Sequence, residues 1–255
     1  MQIVRFAQDG LTQLGLVEDG VVHAASGELF GELTPGAAVG ALDGLTLLPP
    51  VQPSKLIAIG LNYRDHVEQD TPGLAVPENP VIFLKPPSAL VGHGAPIILP
   101  AGAERVDAEA ELAVVIGKRC RHVARADADS VILGYCCSND VSARDYQWVD
   151  GQWVRAKGFD TFAPFGPTIV TGISASDLAV SSRVNGERRQ SSSTSYLIFD
   201  VPYLIEFISR VMTLEAGDVI MTGTPAGPPQ LQPGDICEIE VEGLGVLRNP
   251  VHAEA

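Results

Sequence analysis

The sequence of 255 residues predicts a mostly β, mixed α/β fold. Short apolar stretches, bounded by Gly, Pro and Asp turns, recur along the chain, and this pattern is typical of strands. Strand patterns far outnumber helix patterns, without the regular strand–helix alternation of a doubly wound parallel sheet. Because 45% of the residues are hydrophobic, the chain can bury a sizeable core.

The amino-terminal segment predicts a small β-rich domain. Apolar stretches at residues 2–6 and 12–25 alternate with Gly and Asp turns. Leu47 and Leu48 are then followed by two prolines, which interrupt regular structure. We therefore predict one domain over residues 1–50 and a larger domain over residues 51–255.

The larger domain begins with a strand and contains more strands than helices. Strands are predicted at residues 55–60, 81–85, 96–100, 111–117, 167–171, 178–187, 218–223 and 235–243. Residues 62–70 suit a short helix, and a loop rich in Pro and Gly follows at 71–80. Residues 196–212 have the apolar spacing of a longer helix, which Pro202 would open.

Charge and composition argue against several classes of partner. A formal net charge of -14 disfavours nucleic acid and anionic membrane surfaces, which both reward basic patches. No stretch approaches the roughly 18 apolar residues of a membrane span, and the amino terminus lacks the pattern of a secretory leader. We expect a cytoplasmic protein whose four cysteines, without a CxxC pair, are buried free thiols.

Three acidic residues outline a metal site. Glu109 and Glu111 stand two apart at the start of an apolar run, so on a strand they face the same side. Asp140 would complete a set of hard oxygen donors, which suits Mg²⁺ or Mn²⁺ better than zinc. Asp107 is a rival or additional ligand. The alternative is that these acids mark a solvated sheet face.

Two polar residues follow Asp140 at helical spacing. If residues 139–147 open a helix, Asp140, Arg144 and Gln147 share one face, and a ligand, a cation and an amide point the same way. In the alternative interpretation, Asp140 satisfies helix amides and makes a surface ion pair with Arg144.

His66 is the best candidate for a general base. Imidazole titrates near neutral pH, and Glu68 or Asp65 beside it could orient the ring. The alternative is an exposed histidine without a role.

Two further residues suit the binding of an anion. Lys157 lies among apolar residues, and a buried lysine requires an anionic partner. Thr224 lies in a turn of Gly and Pro at residues 222–227, whose amides and hydroxyl could hold a carboxylate. The alternative for this segment is an ordinary turn.

A set of motifs over about residues 51–252 resembles the fumarylacetoacetate hydrolase family. The motifs are GLNYRDH, FLKPPSALVGHG, VDAEAELAVVIG, GYCCSNDVSARDYQ, AKGFDTFAPFGP, RVNGERRQ, MTLEAGDVIMTGTPAG, LQPGD and GLGVLRNPV, in this order. The resemblance implies a β-roll or sandwich-like core, usually in a homodimer. The first 50 residues look like the short extra domain of many bacterial members.

The resemblance also implies roles for individual residues. Glu109, Glu111 and Asp140 hold the divalent ion, and Arg144, Gln147, Lys157 and Thr224 line the substrate pocket. His66 lies on a segment that orders as a lid over that pocket, and we predict catalytic roles for His66, Glu68 and Lys157. Short members commonly pair the lid histidine with a glutamate three residues later. This chain has Gln69 there and its acid at Glu68.

The implied activity is Mg²⁺- or Mn²⁺-dependent hydrolysis of a C–C bond in acylpyruvates or related 2,4-dioxo acids. A small 2-oxo acid would bind the ion through its carboxylate and keto oxygens. Two alternatives use the same site: decarboxylation of an oxaloacetate-like substrate and isomerisation of a 2-hydroxydienedioate. A binding protein that retains the fold and the ion without catalysis is the alternative from another class.

Overall fold

The computed structural model describes residues 1–71 and 73–254. Its strands are β1 (Gln2–Gln8), β2 (Leu11–Glu18), β3 (Val21–Gly27), β4 (Leu33–Ala41), β5 (Thr46–Leu48), β6 (Leu56–Gly60), β7 (Val81–Lys85), β8 (Leu90–Val91), β9 (Ile97–Leu99), β10 (Val106–Asp107), β11 (Ala110–Ile116), β12 (Ile132–Asn139), β13 (Ser142–Ala143), β14 (Ala163–Val170), β15 (Ala179–Val184), β16 (Glu187–Ser193), β17 (Val219–Met221), β18 (Ile236–Val241) and β19 (Gly245–Ala253). The α-helices are α1 (Arg64–Asp70), α2 (Arg144–Gln147), α3 (Val154–Lys157) and α4 (Val201–Val211), and short 3₁₀ helices lie at Leu42–Gly44, Pro87–Ala89, Arg125–Val131 and Thr194–Tyr196.

The strands in the described part of the chain form three sheets. The main path of the large sheet runs β4-β3-β2-β1-β14-β12-β11-β17-β6-β7, with β5 beside β1 and β8 beside β14. A second sheet has the order β16-β15-β18-β19-β9, and β10 pairs with β13. The predicted mostly β, mixed α/β class is confirmed.

The first 50 residues supply β1 to β5 and join the large sheet. Strand β1 pairs with β2 along its whole length and also with the end of β14, where Gln2 lies opposite Val170. Val4, Phe6, Val22 and Leu47 form a small core of their own. We retain residue 50 as the proposed domain boundary.

Strand β11 is buried on both faces. Leu112, Val114 and Ile116 pack into the largest core cluster, together with helix α4 and the five-stranded sheet. Ala113 and Val115 pack into the second cluster on the opposite side. A strand buried on both faces has a continuous apolar sequence instead of an alternating one, as residues 112–116 have.

Helix α4 begins close to where the sequence predicts a helix. The Asp200 carboxylate caps it by accepting a hydrogen bond from the Tyr203 amide at 2.9 Å, and Pro202 lies in the first turn. Leu204, Ile205 and Ile208 form its buried face. No helix in residues 1–71 and 73–254 has the length and apolar character needed to cross a bilayer.

Replacing Leu112 with Ala is expected to lower the free energy of unfolding by about 2–5 kcal/mol, since it opens a cavity in the largest core cluster. Urea denaturation checks this, with Val149→Ala as the control because Val149 is 77% exposed. A Leu112→Ala variant as stable as the control would show that β11 is not the packed centre described above.

Candidate active site

The candidate site lies where several strands of the large sheet end. Strand β11 begins beside the end of β12, with Ala110 opposite Asn139, and strands β17 and β6 run parallel and end nearby. A pocket of about 380 Å³ opens there. Its lining includes the predicted site residues His66, Glu109, Glu111, Asp140, Arg144, Gln147, Lys157 and Thr224. Glu68 is not among the lining residues.

The predicted metal ligands meet at the base of this pocket. One carboxylate oxygen from each of Glu109, Glu111 and Asp140 lies within 4.8 Å of the other two, and all three residues are buried. Glu109 directly precedes β11, Glu111 is its second residue and Asp140 directly follows β12. The two glutamates share a face because alternate strand residues point the same way.

Lysines and an arginine surround two of the three carboxylates. Lys157 Nζ donates to Glu109 Oε2 at 2.8 Å and to Asp140 Oδ2 at 2.7 Å. Lys85 Nζ donates to Asp140 Oδ1, and Arg144 Nη2 contacts Glu109 Oε1 at 2.6 Å. Lys157 therefore has the anionic partners that its sequence context required.

Glu109 and Glu111 differ in how their charges are compensated. Burial raises the pKa of Glu109, but Lys157 and Arg144 together outweigh it and hold that pKa well below the usual range. Glu111 accepts one hydrogen bond, from the Gly223 amide at 2.9 Å. Burial, followed by repulsion from Asp140 and Glu109, raises the pKa of Glu111 well above its usual value.

This environment fits a divalent cation. Glu111 contributes a buried carboxylate without a side-chain cation in the described structure, and an ion between the three acids would compensate its charge. Each paired oxygen of Glu109 and Asp140 keeps a second lone pair for an ion. Opposite ligands of a Mg²⁺ ion lie roughly 4.2 Å apart, so small side-chain movements would close the site.

Asp107 holds two arginines instead of joining the three carboxylates. Arg105 donates to both Asp107 oxygens, from Nε at 3.0 Å and Nη2 at 2.9 Å. Arg144 Nε donates to Asp107 Oδ2 at 2.8 Å. The prediction of Asp107 as a rival or additional metal ligand is therefore corrected: its carboxylate orients Arg105 and Arg144 along the pocket wall.

The segment after Asp140 is only partly helical. Asp140 lies in the connection between β12 and β13, and the helix begins at Arg144. The prediction of one helix face shared by all three residues is wrong for Asp140, because residues 142–143 pair with β10 as a strand. Arg144 and Gln147 do meet, with Arg144 Nη1 donating to Gln147 Oε1 at 2.8 Å.

His66 lies on α1 with its ring paired to an acid. Nδ1 lies 2.7 Å from Asp70 Oδ2, one helical turn further along α1. Glu68 is exposed, so its prediction as the carboxylate partner of His66 is corrected to Asp70. The Gly227 amide also donates to Asp70 Oδ2, at 3.0 Å, and this contact joins α1 to the turn at residues 222–227.

Thr224 is held by a residue outside the predicted set. Gln190, in β16, donates through Nε2 to Thr224 Oγ1 and to the Pro225 carbonyl, both at 2.8 Å. Its Oε1 accepts from the Ala110 amide at 3.0 Å. Gln190 thereby ties the turn to the first residue of β11. The serine-rich segment that begins at Gln190 reaches the site through this buried amide.

The sequence interpretation missed Lys85, Asp70, Arg105 and the role of Gln190. Lys85 ends an apolar strand, and a lysine in that context is a signal for a buried ion pair. Asp70 stands four residues after His66, which is the helical contact distance. Nothing local marks Gln190, because its partners are distant in sequence.

A comparison with known protein families agrees with the sequence motifs. Residues 55–252 match the model for the carboxy-terminal domain of fumarylacetoacetate (FAA) hydrolase. The chain belongs to the fumarylacetoacetate hydrolase family. Residues 1–50 match a separate model, described as Rv2993c-like, N-terminal. The resemblance inferred from the sequence is thus confirmed.

Similar family members include an uncharacterized protein of Archaeoglobus fulgidus, 53% identical over 91% of this chain and 93% of that protein. Rat mitochondrial oxaloacetate tautomerase Fahd2a is 44% identical over 81% of this chain and 69% of its own length. The solved 5-carboxymethyl-2-hydroxymuconate delta-isomerase from Mycobacterium smegmatis is 46% identical, with a TM-score of 0.92 and full coverage of both chains.

A more distant family structure contains a metal ion. Maleylpyruvate hydrolase from Sphingobium sp. SYK-6, in complex with manganese (II) ion and pyruvate, is 32% identical, with a TM-score of 0.84 and full coverage of both chains. The family relatives with named activities are therefore enzymes of several reaction types: a tautomerase, an isomerase and a hydrolase.

Proposed function

We propose that this family member is a Mg²⁺- or Mn²⁺-dependent enzyme that moves a proton between carbon and oxygen in small 2-oxo acids, as a keto–enol tautomerase or isomerase. One observation carries the proposal: the His66–Asp70 pair lies in the same pocket as Glu109, Glu111 and Asp140. The tautomerase and isomerase named among the relatives, at 44% and 46% identity, support it.

The three carboxylates would hold the ion, and several neighbouring donors remain for the substrate. A bound ion would stabilise the negative charge that develops on the keto oxygen, as a Lewis acid. Lys157 uses two of its three N–H donors on Glu109 and Asp140, which leaves one for a substrate oxygen. Thr224 accepts from Gln190, so its own O–H can donate into the pocket.

His66 would carry the proton. When Nδ1–H donates to Asp70, the lone pair of the neutral ring is on Nε2. In the proposed reaction His66 takes a proton from the carbon next to the keto group, and Asp70 stabilises the imidazolium that forms. The proton then returns to the enolate oxygen, which converts the keto acid into its enol without loss of atoms.

Hydrolysis of a C–C bond in acylpyruvates or related 2,4-dioxo acids, which the sequence favours, is the second candidate. Here His66 would take a proton from a water that attacks the distal carbonyl, and the bond breaks to give a carboxylic acid and the enol of a 2-oxo acid. The maleylpyruvate hydrolase relative supports this reaction. Decarboxylation of oxaloacetate breaks a C–C bond to release CO₂ and forms the enol of the 2-oxo acid pyruvate, and it is the third outcome to be tested.

Product analysis separates these reactions. The purified protein is incubated with Mg²⁺ and either oxaloacetate or acetylpyruvate, and the products are followed by NMR and ultraviolet absorbance. The proposal predicts faster interconversion of enol and keto oxaloacetate than with Mg²⁺ alone, with the carbon skeleton intact. Acetate plus pyruvate from acetylpyruvate would instead favour the hydrolase, and CO₂ release above the metal background would favour the decarboxylase.

Replacing Asp70 with Asn is expected to lower kcat by roughly 10-fold or more, because the ring of His66 loses the carboxylate that orients it and stabilises its charge. Glu68→Gln is the matched control and should stay within about twofold of the wild type, since Glu68 is exposed. Steady-state kinetics on the best substrate measures both. Equal losses in the two variants would contradict the assignment of Asp70 as the partner.

The remaining parts of the proposal concern the substrate, the oligomeric state, the cellular location and the partners. The substrate is a small 2-oxo acid, and we propose a homodimer in the cytoplasm without a nucleic-acid or membrane partner. The net charge of -14 argues against nucleic-acid and anionic membrane partners, and sedimentation velocity of the purified protein tests the dimer.

A further inference from the structure

The side chain of Arg105 lies at the mouth of the pocket. It lines the pocket with a side chain that is 57% exposed, whereas its partner Asp107 is 1% exposed. Its backbone is also fixed, because its amide donates to Asp145 Oδ2 at 3.0 Å and its carbonyl accepts from the Arg144 amide at 2.8 Å. The guanidinium therefore stands in a defined place at the rim.

The two arginines on Asp107 differ in how many donors they have left. Arg144 is engaged on three sides, with Asp107, Glu109 and Gln147. Arg105 contacts only Asp107, through Nε and Nη2, among the residues that the structure describes. The two N–H groups of Nη1 have no hydrogen-bond partner among the described residues. A planar guanidinium with free donors is suited to binding a carboxylate.

We propose that Arg105 binds the second, distal carboxylate of a dicarboxylic 2-oxo acid, and so selects dicarboxylic over monocarboxylic substrates. The inference rests on the proposed function, because it places the 2-oxo acid end of the substrate at the three carboxylates. The pocket of about 380 Å³ is lined both by the three carboxylates and by Arg105, and it has room for a small dicarboxylate. Asp107 is the positioning residue, since it accepts both of the bonds that fix the guanidinium.

Two matched ligand pairs test this assignment. Oxaloacetate and 2-oxobutanoate have four carbons, 2-oxoglutarate and 2-oxopentanoate have five, and each pair differs only by a distal carboxylate in place of a methyl group. Affinities are measured by titration calorimetry with Mg²⁺ for the wild type, Arg105→Gln and the control Arg119→Gln. Arg119 is a suitable control because its side chain is 73% exposed and pairs with Glu215 outside the pocket.

The wild type and Arg119→Gln are expected to bind the dicarboxylate of at least one pair roughly 10- to 100-fold more tightly than its partner, and Arg105→Gln should lose this preference. Its affinity for the monocarboxylates should stay within about twofold, which also shows that the variant is folded. Absence of a preference in the wild type, or its persistence in Arg105→Gln, overturns the inference. Because the titrations measure affinity and the product analysis measures turnover, a failure of the proposed reaction is distinguishable from a failure of this inference.

Discussion

The Glu109→Ala variant is expected to lose both divalent-metal binding and turnover. Glu109 is one of three carboxylates within reach of a single ion, and it is the partner of both Lys157 and Arg144. Its removal deletes a ligand and leaves two buried cations without this anion, and both effects oppose the binding of a further cation. We expect Mn²⁺ affinity to fall by at least about 100-fold, since even the loss of an outer-shell partner of a metal ligand costs 10- to 100-fold.

Titration calorimetry or electron paramagnetic resonance with Mn²⁺ measures this loss directly. Glu18→Ala is the matched control, because Glu18 is exposed at the end of β2, and it should bind the ion as the wild type does. Circular dichroism and thermal melting show whether Glu109→Ala is folded. A folded variant with unchanged Mn²⁺ affinity would contradict the assignment of the three carboxylates as the metal site.

The His66→Ala variant should keep its metal and lose most of its turnover. The ring lies on α1, outside the three-carboxylate set, so Mn²⁺ affinity should stay within about twofold of the wild type. A positioned general acid–base group contributes roughly 10²- to 10⁴-fold to the rate, and kcat should fall by a factor in that range. This combination of retained metal and lost turnover separates the role of His66 from that of Glu109.

Steady-state kinetics and the same Mn²⁺ titration test this prediction together. His252→Ala, an exposed histidine on β19, is the control and should retain full activity. A His66→Ala variant with a kcat near that of the control would exclude His66 as the proton carrier. Loss of metal affinity in this variant would place the ring in the metal site instead.

The fold class could be predicted because the core strands have recognisable local sequence patterns. Residues 112–116 form a continuous apolar run, and the structure buries this strand between two core clusters. Helix α4 was equally visible, from apolar spacing and from Pro202 in its first turn. Strand β12 was not among the predicted strands, because its Gly, Cys and Ser residues have neither alternation nor high β-propensity.

The acidic residues of the candidate site could be predicted from the sequence, but most of the side chains that contact the site residues could not. Alternation along a strand places Glu109 and Glu111 together, and this depends on local geometry alone. The contact of Lys85 with Asp140 joins residues 55 positions apart, and that of Gln190 with Thr224 joins residues 34 apart. Such pairings depend on how strands assemble into sheets, and single-sequence patterns do not encode the assembly.

The position of each acid on helix α1 decides that Asp70, and not Glu68, pairs with the ring of His66. Both acids are close to His66 in sequence, but on α1 Glu68 is exposed and Asp70, one turn later, lies with Oδ2 2.7 Å from Nδ1 of the ring. The contact of Asp70 with the Gly227 amide adds a tertiary reason that the sequence could not reveal.

Proton exchange at the carbon next to the keto group tests the central claim most directly. The wild type with Mg²⁺, the same protein with a chelator, and His66→Ala with Mg²⁺ are each incubated with 2-oxobutanoate and with oxaloacetate in D₂O, and loss of the C3 proton signal is followed by NMR. The account predicts that only the wild type with Mg²⁺ exchanges these protons faster than protein-free Mg²⁺ controls. Exchange at the control rate with both acids, or equal exchange in His66→Ala, would contradict it.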